Sequence, residues 1–90
     1  MERFFRDKFL RKRLRENPHF QEVHENRFAP EFMGLIVNGV VVNNVNWIDI
    51  VDKELLFISK DANTNPVASV ILDNLDSLMI ITLDGLNEVL

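Results

Sequence analysis

The sequence predicts a mainly β domain in which one N-terminal helix precedes a five-stranded, strongly bent antiparallel barrel. Three observations support this prediction. Residues 2–16 contain no glycine, proline or β-branched residue, Asn38-Gly39 separates two apolar segments, and short apolar segments then alternate with turn residues. A chain of 90 residues, 47% of them hydrophobic, can form one core but not two. The expected parts of this single domain are a helix at 1–17, a connector at 18–31, the barrel at 32–83 and a tail at 84–90.

The N-terminal segment consists mostly of residues that form helices readily, namely Phe, Leu, Arg, Lys and Glu. We expect Asn17-Pro18 to end the helix, because the residue before a proline avoids the helical backbone conformation. The apolar side chains divide between two sides of a helical wheel, with Phe4, Phe5 and Phe9 on one side and Leu10 and Leu14 on the other. The helix is therefore expected to be buried on two sides, or to present one apolar strip to another chain.

After residue 31 the pattern changes to short extended segments. Asn38-Gly39 is a strong hairpin signal, because both residues tolerate a positive φ. We expect strands at 32–37, 40–51, 55–58, 67–72 and 78–83, with a bend near Asn43–Asn46, turns at 52–53 and 73–76, a loop at 61–66 and a short tail at 86–90. The connector is expected to be irregular or to form a short helical turn. A small sheet hides its edges and faces best when it bends or closes, with the helix over one end.

The segment from Gly34 to Leu83 resembles the Sm-like (LSm) proteins, a branch of the small SH3-like barrels. The features that carry the resemblance are the strand–Asn38-Gly39–strand opening, the stretch Asp52–Ile58 and the ending Val70–Ile81. The resemblance implies a cyclic homo-oligomer, in which the fourth and fifth strands of neighbouring subunits meet edge to edge. It also implies RNA binding through loops that face the pore of the ring.

The residues that contact RNA in this family are only partly present. The family pattern is Asp-x-x-apolar-Asn, which Asp52 and Leu55 fit, whereas Leu56 stands where the Asn is expected. Asn74-Leu75 replaces the Arg-Gly that precedes the fifth strand in the family. The resemblance therefore implies RNA contacts at Asp52 and Leu55 without the rest of the usual pocket.

Charge is distributed unevenly along the chain. Residues 1–17 contain seven basic and three acidic residues, whereas residues 18–90 contain three basic and eleven acidic residues. Basic residues interleaved with aromatic ones are typical of surfaces that bind phosphates and stack bases. The residues of the helix expected to contact RNA are Arg3, Arg6, Arg11, Lys12, Arg13 and Arg15. The alternative is that the helix packs on the acidic barrel or on a neighbouring subunit.

The fourth and fifth strands are expected to pair with another copy of the chain. Both are apolar and short of charge, and an exposed edge of this kind aggregates unless it is paired. The residues expected at the oligomer interface are Val67, Ser69, Ile71, Leu78 and Ile80. The alternative is that the helix or the tail covers this edge.

Several chemistries are disfavoured by the residues present. The absence of cysteine excludes disulfides and thiolate metal sites. His19 and His24 lie about 140° apart on a helix, so they would not face one metal ion. No G-x-S-x-G elbow and no glycine-rich phosphate loop is present. We therefore expect no enzyme activity, cofactor, metal or small-molecule substrate.

The sequence thus predicts a cytoplasmic, Sm-like oligomeric binding protein with RNA as its expected ligand. No apolar run is long enough to span a membrane, and no membrane partner is expected. The alternative is a protein-interaction or structural assembly module, for instance of a phage or mobile element, whose helix docks on a protein. The missing RNA-contact residues and the acidic barrel favour that alternative.

Overall fold

The computed structural model describes residues 6–21, 27–59 and 66–90. In this part of the chain, helix α1 (Arg6–Glu16) precedes nine strands. The strands are β1 (Phe20–Gln21), β2 (Arg27–Phe28), β3 (Phe32–Val37), β4 (Val40–Val42), β5 (Trp47–Val51), β6 (Glu54–Ile58), β7 (Pro66–Ile71), β8 (Leu78–Thr82) and β9 (Gly85–Glu88), with a 3₁₀ turn (Leu72–Asn74) between β7 and β8. They form two antiparallel sheets, a five-stranded one in the order β1-β2-β5-β6-β7 and a four-stranded one in the order β4-β3-β8-β9.

The mainly β class with one N-terminal helix is confirmed, but a closed five-stranded barrel does not form among the described strands. The predicted strand 40–51 is divided at Asn43–Asn46, so that β4 belongs to one sheet and β5 to the other. Asn44 adopts a φ of 64°, a left-handed conformation that asparagine tolerates better than most residues. The next residue, Val45, is only 2% exposed, so the break itself contributes to the core.

The predicted turns at 38–39 and 52–53 form where expected, whereas residues 61–65 of the predicted loop lie outside the described residues. Asn38 and Gly39 have φ values of 50° and 81°, and Val37 pairs with Val40 to close the hairpin. The Asn38 side chain also binds the link between β7 and β8. Its Oδ1 accepts hydrogen bonds from the backbone N–H groups of Asp76 (2.7 Å) and Ser77 (3.1 Å), and its Nδ2 donates to the Asn74 carbonyl (2.8 Å). The side chain of Asn38 therefore stabilises a segment that lies nearly forty positions later in the chain.

The connector 18–31 is not irregular throughout, which corrects the prediction. β1 and β2 pair within it, and Arg27 of β2 pairs with Trp47 of β5. Aromatic packing stabilises these two-residue strands. The Phe28 ring lies 4.6 Å from that of Phe20 and 3.8 Å from that of Phe32, centroid to centroid, and the second pair is stacked.

The C-terminal segment is also a strand, where a short tail was expected. Gly85, with a φ of 123°, allows the chain to reverse directly after β8, and Thr82 pairs with Gly85. Beyond β9, the Val89 N–H donates to the Leu78 carbonyl (2.8 Å), and Val89 is only 1% exposed. The C-terminal residues therefore complete the four-stranded sheet and its core.

The core lies between the two sheets and α1, and buried side chains of both sheets contribute to it. The helix inserts Leu10 and Leu14, which are 0% and 1% exposed. Burial of a leucine side chain stabilises a fold by about 2 kcal/mol, so these two contacts hold α1 firmly. The other core residues are Phe20, Phe28, Leu35, Val37, Val45, Ile48, Ile50, Leu55, Phe57, Leu72, Leu75, Leu78, Ile80 and Val89.

We expect N38G to lower the free energy of unfolding by about 1–3 kcal/mol, because glycine keeps the positive φ but loses three side-chain hydrogen bonds. Urea unfolding followed by Trp47 fluorescence measures the change. The matched control is N38D, which keeps the acceptor oxygens and loses only the donor. Equal stability of N38G and the unmodified chain would show that these hydrogen bonds contribute nothing.

Candidate nucleic-acid interface

The side of α1 opposite its buried leucines carries a row of basic residues. Lys8, Lys12 and Arg15 are spaced by four and three positions, which places them on one face of a helix. All three side chains are exposed. Because Leu10 and Leu14 fix the other side of the helix, this row has a defined direction relative to the sheets. We call Lys8, Lys12 and Arg15 the basic face.

Two further arginines border the basic face and connect α1 to the sheets. Arg11 donates from Nη2 to the carbonyl of Ile50 at the end of β5 (3.1 Å). Arg13 donates from Nε to the carbonyl of Val89 (2.8 Å), and its guanidinium carbon lies 5.8 Å from the centroid of the Phe9 ring. Phe9 remains 37% exposed, so an aromatic surface lies beside the basic face.

The charge of α1 is opposite to that of the rest of the described chain. Between Lys8 and Glu16 there are five basic residues and one acidic residue. Residues 27–59 and 66–90 contain two basic and eight acidic residues. An anionic partner is therefore attracted to α1 and repelled by the sheets, which favours one orientation of binding.

The structure places four of the predicted RNA-contact residues together. Arg11, Lys12, Arg13 and Arg15 all lie within α1. Arg6 belongs to the helix, but its side chain is outside the described residues, as is all of Arg3. The sequence interpretation did not single out Lys8, although its spacing from Lys12 and Arg15 was a sufficient signal.

The residues carried over from the family motif do not form a site together. Asp52 is exposed in the turn between β5 and β6, with a φ of 56°. Leu55 is 0% exposed and lies in the core, where it pairs with Ile50 and Val70 in the sheet. Its prediction as an RNA contact is therefore wrong, because alternation along β6 directs its side chain into the core.

The residues predicted for the oligomer interface fall into an exposed group on β7 and a buried group on β8. Val67, Ser69 and Ile71 are exposed on β7, which pairs only with β6 among the described strands. Leu78 and Ile80 are both 0% exposed in β8, which is flanked by β3 and β9. The prediction of a free edge at β8 is therefore corrected: β9, expected to be a tail, occupies it.

The histidines and acidic residues do not form a metal site in the described chain. His19 contacts the Glu31 carboxylate through Nδ1 (2.8 Å), and His24 lies outside the described residues. No group of three or more potential metal ligands is present in the part of the chain that the structure describes. A groove of about 170 Å³ is lined by Arg13, Glu16, Asn17, Pro18 and Glu88. It is smaller than the roughly 300 Å³ at which ligand pockets begin.

Comparisons with protein-family models, curated proteins and solved structures find no match to this chain. Among the described residues, no helix has the length and apolar character needed to cross a membrane. The part of the chain that the structure describes presents the basic face of α1 and the edge of β7 as surfaces that a partner can reach.

The His19–Glu31 contact predicts a pH-dependent contribution to stability. The hydrogen bond from His19, with a smaller contribution from a backbone hydrogen bond, lowers the pKa of Glu31 below its ordinary value of 4.5. Because the carboxylate form is favoured in the folded state, this contribution is present above pH 4.5 and is lost as the pH falls through the lowered pKa. We expect E31Q to be less stable than the unmodified chain at pH 7, and we expect a smaller difference at about pH 2.

Urea unfolding at both pH values measures the difference, and D52N is the control because it removes one exposed acidic charge elsewhere. A stability difference between E31Q and the unmodified chain that stays the same at both pH values would contradict the assignment.

Proposed function

We propose that this chain is an RNA-binding protein of Sm-like architecture, in which the basic face of α1 contacts the phosphates of single-stranded RNA. The observation that carries the proposal is the exposed row of Lys8, Lys12 and Arg15 on a helix held to the core by Leu10 and Leu14. Because the helix is anchored before it meets a ligand, little conformational entropy is lost on binding.

The aromatic surface beside the basic face supports a single-stranded ligand. Phe9 is 37% exposed and lies next to the guanidinium of Arg13. Stacking of a base on an aromatic side chain contributes about 1–3 kcal/mol per base and needs unpaired bases. A duplex would offer its phosphates to the basic face but would leave Phe9 without a base to stack on.

The order of extended segments supports the Sm-like part of the proposal. The predicted strands 32–37, 55–58, 67–72 and 78–83 correspond to β3, β6, β7 and β8, and the predicted strand 40–51 corresponds to β4 and β5 together. The proposed contact surface differs from the pore loops of that family, because Leu55 is buried and Leu56 occupies the position of the expected Asn.

Fluorescence anisotropy with labelled poly-uridine and poly-adenine RNA, at about 50 and 200 mM salt, tests the proposal. About three to five phosphate contacts predict that the logarithm of the affinity falls against the logarithm of salt with a slope of roughly −2 to −3.5. We expect K8Q/K12Q/R15Q to bind at least about tenfold more weakly than the unmodified chain at low salt, since three phosphate contacts are lost. K53Q, which removes one positive charge far from α1 in sequence, is the control and should bind normally.

Circular dichroism of each variant confirms that the fold is retained. Absence of RNA binding by the unmodified chain at low salt, or equal affinity of K8Q/K12Q/R15Q, would overturn the proposal.

The contribution of Phe9 separates RNA binding from attraction to any polyanion. F9L keeps an apolar side chain but removes the ring, so we expect RNA affinity to fall by about 5–100-fold. Polyglutamate has no bases, and its weak binding should not change in F9L. If polyglutamate competes as well as RNA at equal charge, the basic face instead fits an acidic protein partner, as in an assembly module.

A further inference from the structure

The strand edges of this chain differ in length and charge. Among the described strands, β1 and β7 end the five-stranded sheet, and β4 and β9 end the four-stranded one. β1 contains two residues, β4 three, β9 four and β7 six. β7 is therefore the longest edge, and its sequence PVASVI contains no charged residue. Native proteins usually protect such an edge with charges, with bulges or by covering it. β7 has a proline at its first position and a bulge at Val67, so its regular, uncharged edge is Ala68–Ile71.

The outward backbone groups of β7 can be assigned from its pairing with β6. Leu72, directly after β7, donates its N–H to the Lys53 carbonyl (2.8 Å) on the β6 side. Hydrogen-bonding direction alternates along a strand, so the backbone groups of Val70 and Ala68 also point toward β6. The N–H and C=O groups of Ser69 and Ile71 consequently point away from the sheet.

The side chains near these groups are apolar and exposed. Val67 is 46% exposed and Ile71 is 49% exposed. The Glu54 carboxylate on β6 accepts a hydrogen bond from the Ser69 hydroxyl (3.3 Å). The edge thus offers apolar side chains together with backbone groups that have no strand partner among residues 6–21, 27–59 and 66–90.

We propose that β7 pairs antiparallel with β7 of a second copy of this chain, about a two-fold axis that passes beside Ser69. In this register Ser69 lies opposite Ser69, and Ile71 lies opposite the bulged Val67 on both sides of the axis. The two five-stranded sheets become one continuous sheet. Two apolar cross-strand pairs form, and the outward groups of Ser69 and Ile71 acquire partners.

A second copy fits this edge better than the other edges of the chain. Head-to-tail pairing of β7 with β8 is blocked in the described arrangement, because β3 and β9 flank β8. The edges of β1, β4 and β9 are shorter, and β9 carries Glu88. The one described edge that matches β7 in length and lack of charge is β7 itself. A two-fold contact of this kind closes as a dimer.

Electrostatic repulsion between the copies acts mainly at low salt. The two β6 backbones would lie three strand spacings apart, about 14 Å, but each Glu54 carboxylate reaches toward the axis because it accepts a hydrogen bond from Ser69 (3.3 Å). Salt screens the repulsion between these carboxylates, so we expect the pairing to strengthen as the ionic strength rises. The contact is small, with about two backbone hydrogen bonds between the Ser69 residues and further ones only where Ile71 meets the bulge at Val67, so we expect a reversible dimer at high micromolar concentration.

Sedimentation velocity of the full chain, from about 10 µM to about 1 mM, tests the proposal, with amide hydrogen exchange at both extremes. We expect a concentration-dependent shift from monomer to dimer. The amides of Ser69 and Ile71 should exchange more slowly at the higher concentration, whereas those of Ala68 and Val70 should not change. A chain that stays monomeric at about 1 mM, or that forms only larger rings, would overturn the proposal.

S69P is the decisive variant, because proline removes the outward N–H of Ser69 while the bonds of Ala68 and Val70 to β6 remain. We expect dimerisation at least about tenfold weaker than in the unmodified chain. S69A, which keeps the backbone N–H, is the matched control and should dimerise. If S69P fails to fold, I71K replaces it, since it places a charge against Val67 of the second copy. Unchanged dimerisation of the folded variant would assign the contact to another surface.

Discussion

The whole arrangement depends on the break in the chain at Asn43–Asn46, which sends one extended segment into both sheets. Asn44 takes up a left-handed conformation, its side chain donates to the Ser59 hydroxyl (3.1 Å), and the Asn46 N–H donates to the Ile58 carbonyl (2.8 Å). These contacts fix the change of direction of the chain, and the side chain of Val45 at the break is buried in the core. Without this break, β4 and β5 would lie in one flat sheet with no second layer to cover its apolar face.

The parts of the fold that follow from local signals could be predicted from the sequence. Asn38-Gly39 and Asp52-Lys53 form turns because their own backbone preferences suffice, and α1 ends at Glu16, where Asn17-Pro18 required it to end. The pairs β1–β2 and β8–β9 could not be predicted in this way. Their strands contain only two to five residues, and contacts outside the strand pairs themselves hold them in place, namely the stacking of Phe32 on Phe28 and the backbone hydrogen bonds of Leu78 with Val89 and Leu90.

The same distinction explains which candidate site residues lie on the surface where the sequence placed them. A row of basic residues on a helix can be recognised from spacing alone, so the charged side of α1 was anticipated. Leu55 was assigned from a motif, and a motif does not show which way a strand directs its side chains. Leu78 and Ile80 were expected at an open strand edge, but an edge is open only if no other strand of the chain pairs with it. Here residues 85–90 pair with β8 and occupy that edge.

The hydrogen bond from Arg13 to the Val89 carbonyl joins residues 76 positions apart in the chain. Phe32 likewise pairs with Thr82, so much of the native structure consists of contacts between distant parts of the sequence. During synthesis, α1 leaves the ribosome long before the strand that completes its docking surface. Its leucines stay without their full set of partners until residue 89 has emerged. The domain therefore completes its fold only after residue 89 has been synthesised, and its non-local topology belongs to the slowly folding class.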